Sequence, residues 1–213
     1  MNINKDTQIF ASFSTKPGNN GCKFFNAGFS YYGINAIYKS FKIDNIDGAI
    51  QSSKVFGFSG FSVSQPFKTQ ILHYVDEILE DTKQIGAANT IILSNNKLVA
   101  YNTDYIAAQH KLNSFKDKKI YILGNGGYSK AVQYACGSLN IDYVIINRTN
   151  WSNIKYIENS VIYNCTPVEN IVVKPNNYFI DGVPTTPTGI ELALLQASEQ
   201  FYIYTGKKFS IKL

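Results

Sequence analysis

The sequence predicts an α/β fold in two parts, and two patterns carry the prediction. Residues 1–103 alternate short apolar runs with amphipathic ones, each ending in a polar loop, as strands and helices do when they cover one another. Residues 104–187 then run strand, glycine-rich turn, helix and further short apolar strands, the order of a parallel sheet with crossovers.

Taken in order, Thr7-Gln8-Ile9-Phe10-Ala11-Ser12-Phe13 reads as a strand that empties into the loop Ser14-Thr15-Lys16-Pro17-Gly18-Asn19-Asn20-Gly21. A helix is expected over 23–32, a strand over 36–41, a helix over 46–54 and a strand near 58–63. Strand-to-helix loops of such a sheet lie at the carboxyl edge of the strands, where open α/β folds bind ligands. Ser12, Ser14, Ser62 and Ser64 fall at two of these edges. A hydroxyl there either serves a carboxylate or sugar-like hydroxyls, or simply shapes a turn.

The segment Ser62-Val63-Ser64-Gln65-Pro66-Phe67-Lys68 opens the next element. Pro66 suits a first helical turn, and Ile71, Leu72, Val75, Ile78 and Leu79 follow at helical spacing. Lys68 then lies on the inward face of that first turn, where the positive end of the helix dipole disfavours a cation and should lower the amine's pKa. An amine so tuned gives and takes a proton near neutrality; the alternative is a lysine whose stem covers the helix end. Residues 85–93 read as a glycine-broken entry into a strand, Ser94-Asn95-Asn96-Lys97 as a hairpin turn, and Leu98-Val99-Ala100-Tyr101 as the returning strand. The hairpin ends in Asn102-Thr103-Asp104. Asp104 either faces Lys68 across a cleft, each group favouring the other's charge, or is an acid placed in the first turn of a helix over 105–112.

In the second part, Lys118-Lys119-Ile120-Tyr121-Ile122-Leu123 is a buried-type strand that passes directly into Gly124-Asn125-Gly126-Gly127 and a helix. Glycines let the backbone approach a pyrophosphate, and the helix N-terminus offers it free N–H groups. A second strand, Tyr143-Val144-Ile145-Ile146, ends at the spacing of a dinucleotide-binding unit. Where an NAD site carries an acid, this chain has Asn147-Arg148-Thr149, a set suited to a ribose 2′-phosphate and hence to NADP. Arg148 is otherwise a solvated loop charge. Strands are expected at 161–164 and 178–181, and the interval 149–160 leaves barely room for a full crossover helix. The last helix, over 190–204, is apolar on several faces and carries Gln196, a buried amide that turns either to the backbone or to a polar ligand.

Composition narrows the classes further. At 45% apolar and 16% charged residues the chain reads as an ordinary globular protein, and its +5 net charge is diffuse, with no basic run to mark a nucleic-acid surface. Cys22, Cys136 and Cys165 are odd in number and far apart, so neither a disulfide framework nor a metal site is expected, and a reducing cytoplasm fits. No apolar run approaches a membrane span, and the start has no export signal.

Together these segments resemble the shikimate dehydrogenase family. The matching stretches are Ser12-Phe13-Ser14, 62–68, Gly86-Ala87-Ala88-Asn89-Thr90, Asn102-Thr103-Asp104, 124–127, 147–149, Asn164-Cys165-Thr166-Pro167 and 196–201, in family order; 12–26 and 195–201 look most like its divergent shikimate dehydrogenase-like class. The resemblance implies a substrate domain over 1–103, with a last helix over 188–205 packing back on it, and a shortened Rossmann-like NADP domain over 104–187, a cleft lying between them. It implies a Lys68–Asp104 proton relay, a substrate carboxylate held by Ser12 and Ser14, ring hydroxyls held by Ser64, Asn89 and Gln196, and NADP held by Gly124, Asn125, Gly126, Gly127, Asn147, Arg148, Thr149 and Thr166. The implied partner is a shikimate-like hydroxy acid, without metal, nucleic acid or membrane, in a monomer or homodimer. The chain departs from the family at Phe25, where a histidine is usual, after Asp181, where a tyrosine is usual, and in its length. A binding or regulatory module that keeps the hydroxy-acid pocket is the alternative.

Overall fold

The computed structural model describes residues 3–210, and they fall into two compact units, 3–103 with 197–210 and 104–196. In the first unit a six-stranded sheet runs β2-β1-β3-β5-β6-β4. Its strands are β1 (Gln8–Ser14), β2 (Ala36–Lys42), β3 (Gly60–Val63), β4 (Glu77–Ile78), β5 (Thr90–Ser94) and β6 (Lys97–Tyr101). β1 lies parallel to both β2 and β3, whereas β5 is antiparallel to β3 and to β6. The connecting helices are α1 (Asn20–Tyr32), α2 (Ile46–Val55) and α3 (Glu80–Ile85). Asn45 caps α2 by accepting from the Asp47 N–H at 2.9 Å, and Gly33 ends α1 in the left-handed conformation that glycine adopts without strain.

One expected element is absent. No helix follows Pro66: the chain makes a turn, a short 3-10 helix at Gln70–His73 and the strand β4, and only then α3. The strand pairing wins because Asp76 and Leu79 bond to β6, Asp76 N–H to Leu98 O at 2.9 Å, Leu98 N–H to the Asp76 carboxylate at 2.7 Å and Leu79 N–H to Ala100 O at 3.2 Å. Ile71, Leu72, Val75 and Ile78 still reach the core with Phe61, Val63 and Ile91, so their apolar spacing is satisfied without a helix. Lys68 therefore stands in no helical turn, and the dipole argument for its proton chemistry falls away. Ile85 likewise belongs to α3, whose left-handed cap is Gly86, so that β5 starts only at Thr90.

The part of the last helix α6 (Pro187–Thr205) that belongs to this unit packs with the following residues onto α1. Phe24, Phe25, Phe29, Phe201 and Phe209 form one aromatic cluster with ring centroids about 5–6.5 Å apart. Gly28 admits them: a Cβ there would lie 2.5 Å from Phe201 and 2.8 Å from Phe209. Tyr204 Oη is buried without a hydrogen-bond partner among the described residues, since Ser62 beside it is engaged by Tyr38 Oη at 2.6 Å; such a group costs about 1–3 kcal/mol.

The second unit holds a parallel four-stranded sheet in the order β10-β9-β7-β8, with β7 (Ile120–Leu123), β8 (Tyr143–Ile146), β9 (Val161–Asn164) and β10 (Tyr178–Asp181). α4 (Asp104–Leu112) and α5 (Gly127–Ser138) cover one face, where Ala107, Leu112, Val132 and Ala135 meet Ile120, Ile122, Tyr163 and Ile180. On the other face the crossover from β8 to β9 is a 3-10 helix at Trp151–Tyr156, packed on Leu123, Ile146 and Ile162.

Burial sets the alkaline limit of this fold. It pushes the Tyr38 phenol up to about 12, against hydrogen bonds from Ser62 and Ser12 that pull it down, and pushes Tyr128, Tyr163 and Tyr204 well above their ordinary value. An acid whose folded pKa is raised contributes its full stability below the unfolded value, near 10, and loses it as pH rises toward 12. The denaturation midpoint should therefore fall steeply above pH ~10, with the buried phenolates appearing only as far-ultraviolet ellipticity is lost. A full complement of phenolates in a protein of native ellipticity would contradict this.

Candidate functional site

In the first unit the carboxyl ends of β1 and β3 lie side by side, with Ser12 in register with both Ser40 of β2 and Ser62 of β3. Ser12 is inside its strand, not at a loop, and its hydroxyl donates to Ser40 Oγ at 2.9 Å. Ser14 ends β1, is buried, and accepts from the Lys16 N–H at 3.1 Å. Both hydroxyls thus already have protein partners. Ser64 is exposed one residue past β3, its N–H bonded to Phe13 O at 3.0 Å and its carbonyl accepting from Phe67 N–H at 2.8 Å. Lys68 is half-buried in the turn that follows, and its carbonyl accepts from the Ala88 N–H at 2.7 Å.

Asn89 organises this edge. Only 3% exposed, it accepts through Oδ1 from Thr103 N–H at 2.9 Å and Thr90 Oγ1 at 2.7 Å, while its amide donates to Thr103 Oγ1 at 2.9 Å. Its N–H bonds to Tyr101 O at 3.1 Å, and its carbonyl accepts from Val63 N–H at 3.0 Å. Residues 88 and 89 therefore tie the backbone of Lys68 to β3, β6 and Thr103, the residue before Asp104.

Gln200 braces the same edge, a contact that local sequence does not reveal. It is 3% exposed, and its amide donates to Thr90 Oγ1 at 2.7 Å and Asn89 O at 3.2 Å. Gln196, four positions earlier on the same helix, is only half-buried and donates to Ala193 O at 2.9 Å. The signal for Gln200 was its place between the core residues Ala197 and Phe201.

In the second unit Asp104 is the first residue of α4 and is 5% exposed, at the helix end that favours a carboxylate. Its charge acts on two buried phenols, Tyr128 and Tyr163, whose hydroxyls lie 2.9 Å apart. The glycine turn stands between β7 and α5 as expected. Gly124 has φ of 102°, a conformation for glycine, and a Cβ there would lie 2.9 Å from Thr166 Cγ2; a Cβ on Gly126 would meet only open space. Asn125 and Gly126 are exposed, and Ser129 Oγ donates to Gly124 O at 2.8 Å to brace the turn. Such a turn before a helix N-terminus can receive a pyrophosphate.

After β8, Asn147 Oδ1 accepts from Thr149 N–H at 2.9 Å and Thr149 Oγ1 at 2.7 Å, which closes a small turn and leaves Arg148 exposed with no ion pair among the described residues. After β9, Asn164 does the same for Thr166, at 2.9 Å to its N–H and 2.7 Å to its hydroxyl, while its amide donates to Asp181 at 2.9 Å. Gly124, Asn147 and Thr166 thus stand at the carboxyl ends of three neighbouring strands, β7, β8 and β9. No group of three or more His, Cys, Asp or Glu that could hold a metal occurs among the described residues, and no helix there is long and apolar enough to cross a membrane.

Residues 21–91 match the model of the shikimate dehydrogenase substrate binding domain. A shikimate dehydrogenase-like protein of Haemophilus influenzae is 37% identical over 158 residues, which are 73% of this chain and 58% of that protein. A shikimate dehydrogenase (NADP(+)) of Methanosphaera stadtmanae is 36% identical over 190 residues, 84% of this chain and 65% of that one. The match thus spans less than two thirds of these curated relatives. The solved structure of a shikimate 5-dehydrogenase-like protein superposes with a TM-score of 0.81 at 30% identity, covering 98% of this chain and 95% of that one. With a substrate-domain match, relatives of this identity and a shared fold over nearly its whole length, the chain belongs to the shikimate dehydrogenase family.

Proposed function

We propose that the protein is an NADP-dependent oxidoreductase that interconverts shikimate, or a related cyclic hydroxy acid, with its ketone. One observation supports the reading: the segment at 88 and 89 bonds to the backbone of Lys68 and to Thr103, so the turn that carries Lys68 is held firmly to the edge built on Asn89. Lys68 takes the proton of the substrate hydroxyl as the carbon–oxygen single bond becomes a carbonyl, and returns it in the reverse direction. Asp104 favours the protonated amine and shares the proton with it. Ser64, and the groups bonded within the protein at Ser12, Ser14, Asn89 and Gln196, shape and line the substrate's place. NADP supplies the hydride acceptor when bound. The open face before Gly126, the cradle at Gly124 and the exposed Arg148 fit its phosphates, with Asn125, Gly127, Asn147, Thr149 and Thr166 holding the surrounding backbone.

A second reading rests on the second unit, whose crossover from β8 is a 3-10 helix and whose sheet ends at β10. A module with these reductions would keep the hydroxy acid and lose hydride transfer. Calorimetry with shikimate and NADPH separately, followed by an NADP-linked assay over shikimate, quinate and their amino analogues, distinguishes the two. Binding of both ligands with turnover is expected; shikimate binding with no NADPH binding would replace the oxidoreductase by the module.

A further inference from the structure

Two Asn-Gly pairs occur in the chain, Asn20-Gly21 and Asn125-Gly126, and the fold treats them differently. Such pairs are chemically labile, because a glycine without Cβ leaves its N–H unhindered to reach the preceding carboxamide. Asn20 is the first residue of α1, and the Lys23 N–H closes that turn on Asn19 O at 3.0 Å. A Cβ on Gly21 would lie 3.0 Å from the Tyr38 ring, so the pair is packed as well as helical. Cyclisation there requires the first turn of α1 to unwind.

Asn125-Gly126 carries neither restraint. Both residues are exposed, Gly126 is extended at φ −92° and ψ −174°, and a Cβ on it would meet nothing within 4 Å. The flanks are held, by Gly124 N–H on Ile146 O at 2.7 Å and by Ser129 Oγ on Gly124 O at 2.8 Å. The Asn125 carboxamide itself has only a long contact among the described residues, from Gln133 Nε2 at 3.4 Å, and is therefore not pinned. Gly126 is also the residue that opens α5, and the positive end of a helix favours the negative charge that builds on its nitrogen during attack.

We infer that Asn125-Gly126 is a site of spontaneous modification that converts the exposed amide of the glycine turn into a carboxylate. Hydroxide takes the Gly126 N–H proton, the nitrogen attacks Asn125 Cγ, and the Cγ–Nδ2 bond breaks to release ammonia and leave a succinimide. Water then opens the ring at either carbonyl, giving aspartate or isoaspartate, so an amide and a water become an acid and ammonia with no change of oxidation state. The product adds one negative charge to the turn, and isoaspartate also inserts a methylene into its backbone. In the proposed function this turn receives a pyrophosphate, so cofactor affinity declines as the protein ages; that consequence, unlike the site, rests on the proposed reading.

Trypsin releases Asn125 in a peptide of residues 120–130 and Asn20 in one of residues 6–23. With the intact protein held warm in mildly alkaline buffer, the first peptide should gain the mass difference between an amide and an acid while the second keeps its mass, and in urea both should react. An unchanged 120–130 peptide, or equal rates in the two peptides while native ellipticity is retained, would overturn the inference. By calorimetry, Asn125→Asp should bind NADPH about ten-fold more weakly than the parent, with shikimate affinity unchanged and thermal melting verifying the fold. The modified Asn125 together with a parent that binds no NADPH would remove the proposed function and uphold the site.

Discussion

Lys68→Ala is expected to lower turnover by a factor on the order of 10² to 10⁴ while leaving the affinity for shikimate nearly unchanged. An alcohol gives up its hydride only as its proton leaves, and in the proposed reaction the half-buried amine at the turn after β3 is the group that takes it. Truncation removes the acceptor and leaves the Lys68 carbonyl free to hold Ala88, so the edge built on Asn89 should persist. Lys68→Arg separates proton transfer from charge. A guanidinium keeps the positive charge and does not surrender a proton in a protein, so this variant should be as slow as the alanine one. If Lys68→Arg turned over like the parent, Lys68 would be an electrostatic anchor and the relay would have to run elsewhere.

The parts of this site that were legible in the sequence are those fixed by local chemistry. The glycine turn, the Asn147-Arg148-Thr149 corner and the hairpin at Asn95 and Asn96 depend on residues a few positions apart, and they stand where composition put them. What misled was apolar spacing. Ile71, Leu72, Val75 and Ile78 read as one face of a helix, yet the same residues are buried by a 3-10 turn and by β4 pairing with β6, because β6 offers backbone groups that no local pattern reveals. The burial of Gln200 has a similar cause: its amide bonds to Thr90, 110 positions away, while Gln196, one turn earlier on α6, is half-buried. Ser12 was read as an edge hydroxyl because its register with Ser40 and Ser62 is a property of three strands together. The pairing of Tyr128 with Tyr163 was equally out of reach, since it depends on β9 lying next to β7.

Asn89→Ala should cost on the order of 3 kcal/mol of stability, which for a chain of this size lowers the melting temperature by about 6–12 °C. The side chain makes hydrogen bonds with Thr103 N–H, Thr103 Oγ1 and Thr90 Oγ1, all in a region nearly closed to water. Removing it strands donors that have already lost their hydration, and stranding a buried donor is costlier than losing an exposed bond. Thr90 Oγ1 still accepts from the Gln200 amide, but its O–H loses its acceptor together with the Thr103 N–H. Thr103→Val removes only the hydroxyl and should cost about 1 kcal/mol, and in the double variant the two losses should fall short of adding by roughly 0.5–1 kcal/mol, because they delete one interaction twice. Activity should follow the same line: at a temperature where Asn89→Ala is still folded, turnover should drop, since the residue released is the one that precedes Asp104. Additive losses in the cycle, or an Asn89→Ala protein melting within ~2 °C of the parent, would show that Asn89 is not the joint that ties Thr103 to the sheet.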